Sequence, residues 1–246
     1  MDQFPTHNPS DADRRVAIIT GGSQGIGAGL VAGYRQRGWA VVATARRIEP
    51  SDAPDLLTVA GDITEPETAG LIADAALDRF GRVDTLVNNA GVFVAKPFTD
   101  YTAADYALLT GVNLGGFFWL TQRVITEMLS RDGGHVVNIS ASLAQVANSS
   151  TPAALTAMTK GGLAAATRSL AVEYASRGIR VNAVSPGIIQ TPVYPASSYE
   201  HLGDQLPPLG RVGQVADVVD AILYLESSPY TTGEILHVDG GATAGH

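Results

Sequence analysis

A glycine-rich turn near the start of the chain has the composition of a phosphate-binding loop. Residues 20–27 read Thr-Gly-Gly-Ser-Gln-Gly-Ile-Gly and separate an apolar run from a helical pattern. Glycines let a backbone approach a pyrophosphate, and the first amides of the following helix point at that charge. The spacing is Gly-x-x-x-Gly-x-Gly rather than the commoner G-x-G-x-x-G, and glycines also serve tight turns. The residues expected at a bound phosphate are Gly21, Ser23, Gln24, Gly25, Ile26 and Gly27.

Two arginines stand where a dinucleotide site distinguishes its cofactors. The second apolar run ends in Ala45-Arg46-Arg47, so it supplies no carboxylate for a ribose 2′-hydroxyl. Guanidinium groups are forked donors suited to phosphate, which favours NADP(H) over NAD(H). The alternative is that both arginines are solvated surface residues. Asp62 and Ile63, after the third apolar run, either flank an adenine or form a plain turn with a helix cap.

These residues need elements to position them, and the sequence alternates short apolar runs with longer helical patterns. This β-α-β-α order, with runs that are apolar throughout, predicts an α/β fold whose parallel sheet is covered by helices on both faces. Ligands of such sheets bind beyond the carboxyl ends of the strands. The predicted strands are 16–19, 40–43, 57–59, 85–87, 135–139, 179–184 and 234–238, and the predicted helices are 25–37, 65–80, 102–130 with glycine interruptions, 152–176 and 214–226.

Length and composition limit the class of protein. The 246 residues are 45% hydrophobic and 16% charged, enough to bury a sizeable core, with a formal net charge of −8. The acidic balance argues against nucleic acid or an anionic membrane as a partner, and the absence of cysteine excludes disulfides and thiolate metal sites. We expect a cytoplasmic protein with a loose tail over 1–13, one domain over 14–246, and a substrate loop over about 186–210.

Several short motifs, taken together, resemble one family. The glycine-rich turn is followed in order by Asn88-Asn89-Ala90-Gly91, Asn113, Ser185-Pro186-Gly187 and Asp239-Gly240-Gly241. This order resembles that of the short-chain dehydrogenases/reductases, including members of the 3-oxoacyl-carrier-protein reductase type, over about residues 14–242. The resemblance implies a single Rossmann-type, doubly wound parallel sheet of about seven strands. It also implies a nicotinamide cofactor and, usually, a homotetramer.

The resemblance assigns roles residue by residue. It implies that Asn89, Ala90 and Gly91 border the adenosine ribose, and that the nicotinamide end meets Pro186, Gly187, Ile189 and Thr191. The family's chemistry uses Asn, Ser, Tyr and Lys. Asn113 and Lys160 match two of these, and Lys160 would also hold the nicotinamide ribose. For the serine, Ser142 is favoured over Ser140 because its spacing to Lys160 is closer to the family pattern.

The family's tyrosine is missing. In the family it stands four residues before the lysine, a spacing that puts both side chains on one helix face. Here that position is Thr156. A phenol beside an ammonium group can exchange a proton with a substrate oxygen near neutral pH, whereas a threonine hydroxyl is a far weaker acid.

Several functions are compatible with this departure. The first is a working oxidoreductase on a small carbonyl or alcohol, with its proton donor rearranged to Lys160 through a water, or to Tyr194 or Tyr199 with His201 behind them. The second is an imine or iminium reductase, whose substrate needs no acid at oxygen. The third is a catalytically impaired nucleotide-binding or scaffold protein, and the fourth is an artificial Thr156 that traps a complex. We expect a small-molecule substrate, homo-oligomerisation and no metal.

Overall fold

Buried apolar runs form the inner strands of the central sheet, and the edge strands β3 and β9 are largely half-buried. In the computed structural model, which describes residues 14–131, 133–192 and 207–245, seven strands pair in parallel in the order β3-β2-β1-β4-β5-β6-β9. Every residue of β1 and β4 is buried. The strands are β1 Val16–Thr20, β2 Ala40–Ala45, β3 Leu56–Ala60, β4 Thr85–Asn88, β5 Gly134–Ile139, β6 Ile179–Pro186, β7 Ile189–Gln190, β8 Gly213–Gln214 and β9 Ile235–Val238.

Helices follow the strands and begin or end at residues suited to those positions. Pro66 occupies the first turn of α2, where its missing N–H costs no hydrogen bond, and Gly81 ends that helix with a φ of 73°. Thr102 and Asp105 form a capping box at the start of α3. The helices are α1 Gly25–Gln36, α2 Pro66–Phe80, α3 Ala103–Thr110, α4 Gly116–Leu129, α5 Ala154–Tyr174 and α6 Val215–Glu226.

The sheet has a hydrophobic core on each face. One core packs α2, α4 and α5 against side chains such as Ile18 and Val136, and the other packs α1 and α6 against Ile19 and Val137. Strand order reverses between β1 and β4, which lie at the middle of the sheet. The predicted single Rossmann-type doubly wound sheet of about seven strands is therefore confirmed, and its reversal point is where such sheets bind ligands.

The structure differs from the predicted elements mainly between residues 102 and 130. The expected glycine-interrupted helix is two α-helices, α3 and α4, joined by a π-helical segment, Gly111–Gly115. Such wide turns are rare and concentrate at functional sites. The short pair β7–β8 was not predicted, because two-residue strands leave no periodic signal. The expected tail over 1–13, together with Tyr194, Tyr199 and His201, lies outside the described residues.

A buried polar cluster lies at the amino ends of the strands, opposite the glycine-rich turn. Glu226 accepts hydrogen bonds from Tyr34 (3.0 Å) and Thr85 (2.9 Å), and it contacts His135 Nδ1 at 3.1 Å. Asn182 Nδ2 lies 3.1 Å from His135 Nε2. Because Nε2 faces a donor and Nδ1 faces a carboxylate, the network favours a neutral imidazole protonated at Nδ1.

None of the helices in the described part of the chain is long and apolar enough to cross a membrane.

Candidate active site

The glycine-rich turn is built so that its backbone, rather than side chains, faces a ligand. Gly21 and Gly25 have φ values of 66° and 56°, a region that side chains disfavour. A Cβ added to Gly27 would lie 2.0 Å from the carbonyl oxygen of Gly21. At the start of α1, Gln24 forms no side-chain cap and the first turn contains no acidic residue. The amides of Ile26 and its neighbours are therefore left for an anion.

The turn is fastened to the end of β4 by Thr20 and Asn89. Thr20 Oγ1 accepts hydrogen bonds from the N–H groups of Asn89 (3.0 Å) and Ala90 (2.9 Å). Asn89 Nδ2 donates to the carbonyl oxygens of Thr20 (2.8 Å) and Gly21 (3.3 Å). The ends of β1 and β4, the two strands at the reversal point, are thus fixed to each other, and the glycine-rich turn is held beside Asn89 and Ala90.

The two arginines and the Asp62–Ile63 pair lie at the ends of β2 and β3. Arg46 and Arg47 are exposed. Asp62 accepts hydrogen bonds from the N–H (3.0 Å) and hydroxyl (2.9 Å) of Thr64, and these bonds lower its pKa, with a smaller contribution from Arg46. Ile63 packs against Gly116, whose added Cβ would meet Ile63 Cγ1 at 2.7 Å. The Asp62–Ile63 pair therefore forms a turn, and the Asp62 carboxylate is close enough to Arg46 to interact with its charge.

The segment after β6 turns back toward the glycine-rich loop. Pro186 is the last residue of β6, and the N–H of Gly187 donates to the Val238 carbonyl at 3.0 Å. Ile189 begins β7, and the Thr191 side chain lies 3.5 Å from a Cβ placed on Gly25. The residues expected at the nicotinamide end are thus brought to the same side of the sheet as the phosphate-binding turn.

Asn113 lies in the π-helical segment and is buried. Its amide donates to the Val92 carbonyl (3.0 Å) and to Thr159 Oγ1 (3.0 Å), and its oxygen accepts from the Val92 N–H (2.9 Å). One side chain therefore joins α5 to the loop after Gly91. The wide turn is what places an amide at this junction of three segments.

The two candidate serines occupy different surroundings. Ser140 is buried, and its hydroxyl donates to the backbone carbonyl of Lys160 at 3.0 Å. Ser142 begins a 3-10 turn, Ser142–Ala144, and is half-buried. Ser140 therefore serves to join the end of β5 to α5, whereas Ser142 remains partly exposed.

Lys160 is the buried cation of the site. Its Nζ donates to the Ile139 carbonyl at 2.8 Å, and it lies 2.8 Å from a Cβ placed on the exposed Gly91. Burial lowers the pKa of this ammonium group from 10.5 to about 8. Lys160 is thus able to exchange a proton close to neutral pH, or to donate hydrogen bonds across Gly91.

Thr156 lies one helical turn before Lys160 and is only 1% exposed. Its hydroxyl donates to the Val94 carbonyl at 3.0 Å and accepts from the Val94 N–H at 3.2 Å. Both functions of the hydroxyl are therefore used by the backbone. Thr156 fastens the loop after β4 to α5, and its proton is not directed into the cleft.

Comparison with known proteins identifies the family of this fold and site. Residues 21–243 match a family model described as "Enoyl-(Acyl carrier protein) reductase". The chain belongs to the short-chain dehydrogenase/reductase family. It is therefore an oxidoreductase of the kind that acts on alcohol or carbonyl groups. A curated relative, the putative ketoacyl reductase 2 of the granaticin polyketide synthase from Streptomyces violaceoruber, is 38% identical over 92% of this chain and 95% of its own length.

Solved structures give the same fold. ElxO with NADP bound has a TM-score of 0.86 at 27% identity and covers 94% of this chain and all of its own. The 3-ketoacyl-(acyl-carrier-protein) reductase of Brucella melitensis, complexed with NADH, has a TM-score of 0.86 at 28% identity, over 95% of this chain and 100% of that one.

Three contributors to this site were not found from the sequence. Thr159 accepts a hydrogen bond from Asn113, and the backbone of Val94 binds the Thr156 hydroxyl. The third is Tyr101, whose Oη donates to the Val94 carbonyl at 2.9 Å. Backbone groups have no signature in a sequence. Tyr101 is followed by the Thr-x-x-Asp capping box at 102–105, which is a signal that could have fixed its position at a helix start.

Proposed function

We propose that this chain is an NADP(H)-dependent oxidoreductase that transfers hydride to or from a small carbonyl or alcohol substrate at a site without the family's tyrosine. The observation that carries the proposal is the cradle formed by Gly21, Gly25 and Gly27, together with Lys160, which approaches Gly91 after the neighbouring strand β4. A cofactor bound there supplies the hydride. Relatives of the chain that hold NADP or NADH support a nicotinamide as that cofactor.

The cradle fits a dinucleotide for a physical reason. The missing Cβ at Gly27, where 2.0 Å separates the added atom from Gly21 O, leaves backbone amides as the surface that a pyrophosphate would meet. Ser23, Gln24 and Ile26 complete this turn. Asn89, Ala90 and Gly91 would border the ribose, and Pro186, Gly187, Ile189 and Thr191 would border the nicotinamide end.

Preference for NADP(H) is proposed from charge at the end of β2. Arg46 and Arg47 are exposed and adjacent, and Ala45 puts no carboxylate beside a ribose 2′-hydroxyl. Asp62 and Ile63 would flank the adenine. A 2′-phosphate would find two forked donors there, although the Asp62 carboxylate near Arg46 offsets part of their charge.

The reacting end is proposed to consist of Asn113, Ser142, Thr156 and Lys160. Lys160 is the titratable group, with its pKa lowered to about 8 by burial. Ser142, at the start of its 3-10 turn, is the hydroxyl free to orient a substrate oxygen. Asn113 and Thr156 hold the loop and helix in position through the Val92 and Val94 backbone.

A second function, imine or iminium reduction, is favoured by one observation. The Thr156 hydroxyl is bonded to Val94 in both directions, so position 156 offers no proton to a substrate oxygen. An iminium carbon accepts hydride without an acid at oxygen. A third possibility, a nucleotide-dependent binding or scaffold protein, predicts tight cofactor binding without turnover.

The decisive experiment separates binding from turnover. Calorimetric titration with NADPH and with NADH measures affinity, and the loss of absorbance of the reduced nicotinamide measures turnover. Cyclohexanone, acetophenone and an acetoacetyl thioester represent ketones, and 2-methyl-1-pyrroline represents imines. We expect NADPH to bind more tightly than NADH and a ketone to be reduced. Turnover of the imine alone would support the second function, turnover of neither the third, and no binding heat would contradict all three.

We also propose that the protein forms a homo-oligomer through α4 and α5. Phe118 and Trp119 on α4 and Met158 and Val172 on α5 are exposed apolar side chains, with Val172 83% exposed. A second copy would remove these side chains from water. Light scattering during size-exclusion chromatography should give a mass of at least twice 25.5 kDa, and Val172→Glu should reduce it.

A further inference from the structure

A phenol from another segment of the chain shares a hydrogen-bond acceptor with Thr156, the residue at the position left without a tyrosine. Tyr101 follows a 3-10 turn, Phe98–Asp100, and its Oη donates to the Val94 carbonyl oxygen at 2.9 Å. The Thr156 hydroxyl lies 3.0 Å from the same oxygen atom. The Tyr101 and Thr156 hydroxyls therefore converge on one acceptor, and the Tyr101 side chain is half-buried rather than sealed in the core.

The surroundings of Tyr101 fix the ring and place a cation beside it. The ammonium nitrogen of Lys96 lies 5.8 Å from the centroid of the Tyr101 ring and 2.8 Å from Asp105 Oδ2. Asp105 in turn accepts from the N–H of Thr102 at 2.8 Å, at the start of α3. The ring of Tyr101 thus contacts the ammonium group of Lys96, and Lys96 is held by Asp105 at the start of α3.

Other described tyrosines are differently placed. Tyr34 donates to Glu226 at the amino ends of the strands, on the opposite edge of the sheet. Tyr106, Tyr224 and Tyr230 are exposed large side chains on the surface, and Tyr174, at the end of α5, forms a hydrogen bond with Glu173. Tyr101 is the described tyrosine whose hydroxyl shares a hydrogen-bond partner with Thr156.

We propose that Tyr101 is the acid–base group of this site and replaces the phenol that α5 lacks. The inference rests on the proposed function, since the hydride comes from the reduced nicotinamide. In ketone reduction, the carbonyl carbon gains a C–H bond from that hydride and the π electron pair moves to oxygen. The Tyr101 O–H bond breaks and its proton goes to that oxygen, and the phenolate then takes a proton from water. In alcohol oxidation each transfer runs in reverse.

The present hydrogen bond is compatible with that role. A phenol that donates to a neutral carbonyl exchanges it for another oxygen acceptor at little net cost, because one hydrogen bond replaces another. In the proposed mechanism, the bond to the Val94 carbonyl holds the phenol proton until a substrate oxygen takes the place of that acceptor. Apo structures commonly show catalytic hydrogen bonds that change partner or tighten only with substrate bound.

The test compares Tyr101→Phe with Tyr106→Phe in the full chain. Both changes remove one hydroxyl and keep the ring, and Tyr106 is exposed on the neighbouring α3. With NADPH and the ketone panel, kcat for Tyr101→Phe should fall by about 10²–10⁴-fold. Tyr106→Phe should retain the wild-type kcat. The dissociation constant of NADPH should stay within about twofold in both variants.

A second variant separates chemistry from loop position. Fluorinated tyrosine at 101 keeps the ring and the hydrogen bond but is a stronger acid. The pH profile of kcat should shift to lower pH if the phenol transfers the proton. An unshifted profile, an unchanged kcat in Tyr101→Phe, or wild-type protein that binds NADPH but reduces no ketone would each overturn the assignment and leave cofactor binding intact. Failure of the wild-type protein to bind NADPH would instead overturn the proposed function.

Discussion

Thr156 and Val94 are joined by two hydrogen bonds, one in each direction between the threonine hydroxyl and the valine backbone. This arrangement gives the residue at the tyrosine position a structural role. The bonds connect α5, which carries Lys160, with the loop after β4. The same loop holds Asn113 through Val92. Loss of the hydroxyl should therefore affect stability more than chemistry.

Thr156→Val should lower the free energy of unfolding by about 1–3 kcal/mol, because the half-buried Val94 N–H loses its hydrogen-bond partner. Thr156→Ser, which keeps the hydroxyl, should lose less. Thr126→Val serves as a control, since Thr126 is exposed and its hydroxyl donates only to the Gln122 carbonyl. Urea unfolding measures the difference. A stable Thr156→Val protein with a hundredfold lower kcat would show that the hydroxyl itself takes part in proton transfer.

Gly27→Ala should abolish cofactor binding. The added methyl group would lie 2.0 Å from Gly21 O, so the glycine-rich turn must open or α1 must shift. We expect no measurable heat with NADPH and a loss of more than about 2 kcal/mol in unfolding free energy. Gly70→Ala is the matched control: nothing lies within 4 Å of its added Cβ in α2, and it should gain about 0.5–1 kcal/mol. Normal NADPH binding by Gly27→Ala would place the cofactor elsewhere.

Arg46→Gln and Arg47→Gln together should reverse the cofactor preference. Removing two guanidinium groups from a 2′-phosphate should weaken NADPH binding by about tenfold or more, since hydrogen bonds to charged groups contribute about 1.5–3 kcal/mol. NADH binding should change by less than twofold. Arg168→Gln, an exposed arginine on α5, should leave both affinities unchanged. Equal weakening of both cofactors in the double variant would mean that the arginines do not read the 2′-phosphate.

Acid should destabilise the fold through His135 and Glu226. Burial lowers the pKa of His135 below 6.5. As the pH falls below 6.5, the unfolded chain therefore binds a proton at this histidine before the folded chain does, and the free energy of unfolding decreases. For Glu226, burial acts to raise the pKa, but hydrogen bonds from His135, Thr85 and Tyr34 outweigh it and the net shift is downward. The stability that this carboxylate contributes is present above about pH 4.5 and is lost as pH falls toward its lowered folded pKa.

His135→Gln should flatten the part of that profile between pH 6.5 and 5, at a cost of about 1–3 kcal/mol at pH 7.5 for the disturbed hydrogen bonds. His237→Gln is the control, because His237 lies on β9 outside this cluster. Thermal unfolding across the pH range measures both. A wild-type profile that stays flat from pH 7.5 to 5 would contradict the assignment of a neutral, buried His135.

The sequence predicted the sheet better than the local structure of the candidate reacting end, and the residues of the nucleotide end stay predictions. Apolar runs such as 16–19 favour buried strands because they are too short for a typical helix and are followed by turn residues. Gly81 and Pro66 mark helix boundaries by their backbone preferences. The π-helical segment around Asn113 depends on hydrogen bonds to Val92 and Thr159, which belong to distant segments. Tertiary partners of this kind leave no local pattern, so the sequence predicts only a glycine-interrupted helix at this place.

The two serines and Tyr101 illustrate the same limit. Spacing favoured Ser142 over Ser140 as the reactive hydroxyl, and the choice remains a prediction. The structure adds that Ser140 is bonded to the Lys160 carbonyl. Tyr101 lies 59 residues before Lys160 in the sequence. Motif spacing relates residues on one helix, and it cannot reveal a side chain that enters the site from another loop.

The bare amino end of α1 has a consequence for the life of the protein in a cell. With no acidic side chain in its first turn and no side-chain cap at Gln24, the first amides of this helix are open to solvent or to a bound anion, and an anion is the partner that the helix charge favours. A ligand that binds only the native form raises stability by about 2.7 kcal/mol at a hundred times its dissociation constant. The supply of the cofactor would then set the rate at which the protein is degraded, because molecules without cofactor would be cleaved by proteases sooner than molecules that hold it.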